Sequence, residues 1–145
     1  MKAITLEVNT AEINQGNIEE CCHFEGQIKG SPNKEFTTQA EVGDMIIWNG
    51  VSTTSENDLV NITFINWEDG KEIFGKRQLK GNDDEPELVV GKVLHNTLEN
   101  DVDQNENEIH NNFKYKISFT VKKYGEENID GFDTYKIDPK IQVNR

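Results

Sequence analysis

Basic runs, long apolar stretches and separated cysteines are all missing from this 145-residue chain. Its two cysteines are adjacent, Cys21-Cys22. Neighbouring α-carbons sit about 3.8 Å apart, below the usual disulfide span, so a bridge there would be strained and two reduced thiols are expected. Lys and Arg number 15 against 27 Asp and Glu, a formal net charge of −12. Such a surface repels phosphate backbones and anionic lipid, so neither nucleic acid nor a membrane is an expected partner. The opening residues alternate Ile4, Leu6 and Val8 with Thr5, Glu7 and Asn9. That pattern is a strand, not a signal core or an apolar span of about 20 residues, and the cytoplasm is the expected compartment. None of the four serines lies in a Gly-x-Ser-x-Gly elbow, and no His-Glu-x-x-His, P-loop or Rossmann fingerprint is present. No catalysis is expected.

Sheet signals are abundant. From Gln39 to Phe74, short β-branched and aromatic runs are punctuated by Gly43-Asp44, Asn49-Gly50 and Asp69-Gly70, dipeptides suited to tight turns. Met45–Trp48 is apolar on both faces, which predicts a central strand or one sandwiched between layers. Leu59–Trp67 reads as the longest central strand, with Val60, Ile62 and Phe64 on one face and Leu59, Ile65 and Trp67 on the other. Glu68–Lys71 would turn it into a strand at Glu72–Phe74, with Glu68 and Lys71 paired. At Asn49-Gly50 a hairpin competes with a longer loop through Ser52–Asp58. Further strands are expected at Ala3–Ala11, near Glu35–Gln39, and at Leu88–Leu94. Phe113–Val121 alternates most cleanly, with Phe113, Tyr115, Ile117, Phe119 and Val121 on the core side. Pro139 lacks a donor for a ladder, so it marks an edge, bulge or kink between two short terminal strands. No dozen-residue stretch has helical periodicity. The prediction is one domain over 1–145, all-β, a two-layer antiparallel β-sandwich of Ig or jelly-roll type with long polar loops.

Three groups of residues are candidates for chemistry. Trp48 and Trp67 would stack on a sugar in a lectin-like module, although both alternate with core isoleucines and read first as packing. Asp101, Asp103, Asn105 and Asn107 keep the one-three-five-seven oxygen spacing of a calcium loop. Glu106 stands where that loop needs glycine and Asn112 where it needs glutamate, which favours an acidic loop between two strands. Cys21 and Cys22, beside His23, would form a redox or soft-metal site, but a closed zinc site needs a fourth ligand at a recognised spacing. Val42–Trp48 resembles a cupredoxin phrase, yet the chain carries no copper ligand set after His110. Calcium is therefore the one cofactor alternative to none, and a glycan the alternative ligand.

Taken in order, Ile4–Ile13, Ala40–Trp48 followed by Val51–Thr54, and Tyr135–Val143 resemble the AidA/PixA inclusion-body protein family. Those proteins open on a similar strand, carry Val-Gly-Asp-x-Ile-x-Trp mid-chain and end in Asp-Pro-x-Ile-x-Val. Here Lys136-Ile137 stands where the family has a second tryptophan, and methionines are few. The resemblance implies a bacterial β-sandwich without catalytic residues, self-associating or of inclusion-body type. Self-association through sheet edges or faces is thus the expected partnership.

Overall fold

The computed structural model describes residues 1–81, 84–85, 87–102, 108–110, 112–125 and 133–144. Among these the strands are β1 (Lys2–Val8), β2 (Cys22–Phe24), β3 (Thr37–Glu41), β4 (Met45–Ser52), β5 (Leu59–Gly70), β6 (Gln78–Lys80), β7 (Leu88–Lys92), β8 (Leu98–Val102), β9 (Glu108–His110), β10 (Phe113–Lys122), β11 (Thr134–Ile137) and β12 (Lys140–Asn144). One helical turn, α1 (Ile18–Cys21), precedes β2, and a 3-10 turn spans Asn33–Glu35. A four-stranded sheet runs β2-β1-β4-β7 and a six-stranded sheet β3-β12-β10-β5-β6, with β11 also on β10. A separate ladder joins β8 to β9. No helix among the described residues is long and apolar enough to cross a membrane.

The expected all-β sandwich is present, and its sheets are mixed: β1 runs parallel to β4, and β3 parallel to β12. Short turns force antiparallel returns only between strands they join directly, and neither of these pairs is consecutive in the chain. β11 and β12 share one lane beside β10, pairing with Ile117–Thr120 and with Phe113 and Lys114 respectively. Asp138-Pro139 forms the kink between them, as a residue without an N–H requires.

The inner faces meet along the alternating residues. Ile4, Leu6, Val8, Ile46, Trp48 and Val89 of the smaller sheet are buried, as are Val60, Ile62, Ile65, Phe113, Tyr115, Ile117 and Phe119 of the larger. Gly50 stands in β4 against β5, where a Cβ would overlap the Val60 side chain. The chain passes through Asn49-Gly50 as strand and turns later, so the longer-loop reading prevails.

β5 and β10 pair along their whole length, although β5 has 12 residues and β10 has 10. The surplus is taken up at two register shifts. Ile62 lies opposite Phe119 and Phe64 opposite Ser118, which leaves Thr63 over; Trp67 lies opposite Tyr115 and Asp69 opposite Lys114, which leaves Glu68 over. Each extra residue reverses the side-chain phase. Phe64 therefore does not share the face of Val60 and Ile62; it points outward and is 37% exposed, while Ile65 and Trp67 turn inward. Thr63 closes the first bulge by donating its hydroxyl to Ser118 O at 2.9 Å.

The turn expected at Glu68–Lys71 is also corrected. β5 continues to Gly70, whose φ of 82° is left-handed, and the returning strand is β6, not Glu72–Phe74. Ile73 and Phe74 instead plug the core without strand pairing, and Glu68 lies 3.9 Å from Lys116. β1 stops at Val8, short of Ala11, β3 begins at Thr37 and β7 ends at Lys92.

At the centre, Trp48 Nε1–H donates to Tyr115 Oη at 3.1 Å across the two sheets. Trp48 packs edge-on to Phe74 and Tyr115, with centroids at 5.5 and 5.9 Å. Both partners of the hydrogen bond are 0% exposed. Tyr115→Phe would strand the indole N–H in a dry interior, so a loss of about 1–3 kcal/mol is expected in urea unfolding; an unchanged midpoint would show that the bond contributes nothing.

Candidate functional site

Trp48 offers no ring face to a ligand, because its surroundings are Phe74 and Tyr115 in the closed core. Trp67 is half-buried against the same core, donates Nε1–H to Gly70 O at 3.1 Å, and carries the Arg77 guanidinium 5.0 Å from its ring centroid. The two indoles thus occupy packing roles and form no paired sugar platform.

Cys21 ends α1 and Cys22 starts β2, and both are buried free thiols. Burial raises the Cys21 pKa, with Glu12 and Glu20 adding to the effect. Burial, then Cys21 and Glu19, pushes the Cys22 thiol up to about 12. The reactive thiolate is scarce at neutral pH under those conditions. A cleft of about 570 Å³ lies outside Cys22, with Glu19, His23, Lys29 and Asn33 among its walls. Part of its polar lining holds local structure: buried Asn33 donates Nδ2–H bonds to Glu19 Oε2 and Cys22 O, each at 3.0 Å. His23 lies 3.8 Å from Glu7. Among the described residues no group of three His, Cys, Asp or Glu side chains is placed to hold a metal ion.

Of the calcium-spacing candidates, Asp103, Asn105 and Asn107 lie outside the described residues. Asp101 lies on β8, whose backbone pairs with β9, so part of the expected loop is strand.

A polar cluster that sequence reading missed ties loops together at one end of the sandwich. Thr10 is 0% exposed, and its hydroxyl is bonded to Ser52 Oγ at 2.7 Å, Thr54 Oγ1 at 3.2 Å and Asp58 Oδ2 at 2.5 Å. Asp58 Oδ1 accepts the Tyr124 N–H at 2.9 Å. The one advance signal was the density of Ser and Thr in Ser52–Ser55, side chains that satisfy backbone groups in turns. The Thr10 hydroxyl, then the Tyr124 N–H, hold the Asp58 carboxyl below the usual range against a small opposing effect of burial.

The outward faces of the two sheets differ. On the six-stranded sheet Lys80, Lys114, Lys116, Lys136 and Lys140 point outward, with Lys114 directly beside Lys140. Asp69 and Glu68 approach Lys114 and Lys116 at 4.0 and 3.9 Å. On the four-stranded sheet the outward row is Ala3, Ile47 and Val90, side by side across three strands.

The geometry defines a two-layer mixed β-sandwich in which the buried polar groups of Thr10, Asn33, Trp48, Thr97 and Tyr115 are hydrogen-bonded within the fold. That architecture is shared with a solved structure described as the inclusion body protein PixA from Burkholderia cenocepacia: the likeness covers 99% of this chain and 96% of that one, with a TM-score of 0.60 and 12% identity. At that identity the likeness is one of fold. No protein-family model matches the chain, and no curated protein matches it.

Two measurements check these roles. A thiol reagent at neutral pH should label Cys21 and Cys22 slowly in the native protein and rapidly after unfolding; fast native labelling would revive the redox reading. Because the folded pKa of Asp58 is depressed, its contribution to stability is complete above the unfolded value of about 3.9 and is lost as pH falls through the folded value. Asp58→Asn should lower the denaturation midpoint at neutral pH and flatten its decline below about pH 4. Parallel pH profiles for the two proteins would remove Asp58 from the account.

Proposed function

We propose that this chain is a non-enzymatic structural protein of the inclusion-body type, acting by self-association in the cytoplasm. The carrying observation is the end-to-end fold likeness to an inclusion body protein. The internal chemistry supports it: the buried thiols are held protonated, the tryptophans pack the core, and the Thr10–Asp58 cluster fastens loops. Functional matter is thereby moved to the outer surfaces.

Copies of a chain at −12 repel one another over roughly a Debye length, about 8 Å at physiological ionic strength, so association must rest on short-range contact. Size-exclusion chromatography with light scattering, run over a concentration series, should show species larger than the 16.6 kDa monomer. Monomer alone at every concentration would overturn the reading.

A further inference from the structure

We infer that the outward face of the four-stranded sheet docks on the same face of a second copy, forming a two-fold dimer. The inference rests on the self-association reading above and assigns it a surface.

The argument starts from β4. Met45-Ile-Ile-Trp48 is apolar on both sides, the pattern of a strand covered on both. Within one copy the inner side is fully covered and the outer side only in part: Ile46 and Trp48 are fully buried, while Met45 and Ile47 face outward and are half-buried. β7 repeats the mismatch, with Val89 inside and with Leu88 and Val90 outside. Ala3, Ile47 and Val90 form a continuous cross-strand row, flanked along β4 by Met45 and Asn49, with Leu88 beside Asn49 and with Val51 one step further on, beside Glu7. Val51 and Val90 remain 44% and 43% exposed. At the centre, Asn49 holds its Oδ1 out of water without a hydrogen-bond partner, so this part of the face is already screened from solvent. The outer face of the opposite sheet carries Lys80, Lys114, Lys116, Lys136 and Lys140 among polar neighbours, beside the exposed Phe64.

Charge selects the occupant. The outward positions of β1, β4 and β7 carry one carboxylate, Glu7, and one ammonium, Lys92, with His23 beside Glu7 on β2. A near-neutral apolar face on a chain of net charge −12 is where two copies come together with least repulsion. The face is self-complementary under a two-fold axis, apolar row against apolar row, and an isologous contact of this kind closes at two copies.

The test uses the full chain in light scattering and sedimentation at low and high salt. The wild type should dimerise, more tightly at high salt because screening removes repulsion without weakening apolar contact. Ile47→Glu combined with Val90→Glu should weaken the dimer at least about tenfold, since a desolvated unpaired charge is costly. Phe64→Glu, on the opposite outer face, should leave it unchanged. Should the double variant unfold by circular dichroism, Val90→Glu alone, at an already exposed position, carries the test. Association that persists in the face variant, that is broken by Phe64→Glu, or that weakens with salt as lysine-to-carboxylate docking would, overturns this surface and leaves self-association standing. A wild type that stays monomeric overturns both.

Discussion

The contact between Trp48 and Tyr115 is the constraint on which the rest of the structure depends. It joins the central strand of one sheet to the central strand of the other, through ring packing and one buried hydrogen bond. A buried indole N–H needs an acceptor, and a phenol pushed toward its neutral form by burial supplies one. Phe74 and Phe113 extend the same cluster, at 5.2 Å from each other, and Phe113 stacks on Tyr115. Once these rings are placed, the sheets can approach only where bulk is absent, which is the role of Gly50 opposite Val60.

The two bulges in β5 serve the same core. A twelve-residue strand against a ten-residue one would lose its inward phase unless the surplus were absorbed, and Thr63 and Glu68 absorb it. The result is a uniform inner row opposite β10 and an outward Phe64. The alternation of β10 was legible because it is unbroken; that of β5 was misread beyond Ile62 because a bulge looks like ordinary sequence until its partner is known. The turn at Asp69-Gly70 was legible for its glycine, but not its partner strand. Glu72-Ile-Phe74 has strand-like residues whose apolar surface is used to plug the core instead.

Function follows from where the polar and apolar groups are left over. The interior takes up Trp48 and both thiols, Trp67 packs half-buried against it, and the Thr10–Asp58 cluster fastens loops. What remains is a sandwich with two unlike outer faces, one bearing lysines and one nearly neutral and apolar, on a chain that is acidic overall. That asymmetry is what the proposed self-association draws on; the solved structure shares the fold.

By itself the sequence determined the class of fold, the position of most strands, a break at Pro139 between two short strands, and the assignment of Trp48 to packing, because alternation and turn chemistry are local and repeat every two residues. The apolarity of β4 on both sides was also visible in advance. Only the tertiary structure decided that β1 lies parallel to β4, that Phe64 faces water, and that Ala3, Ile47 and Val90 form one row while Lys80, Lys136 and Lys140 join the lysines of β10. Those facts depend on which strands become neighbours and in what register, and register between strands distant in the chain is set by how the whole core packs.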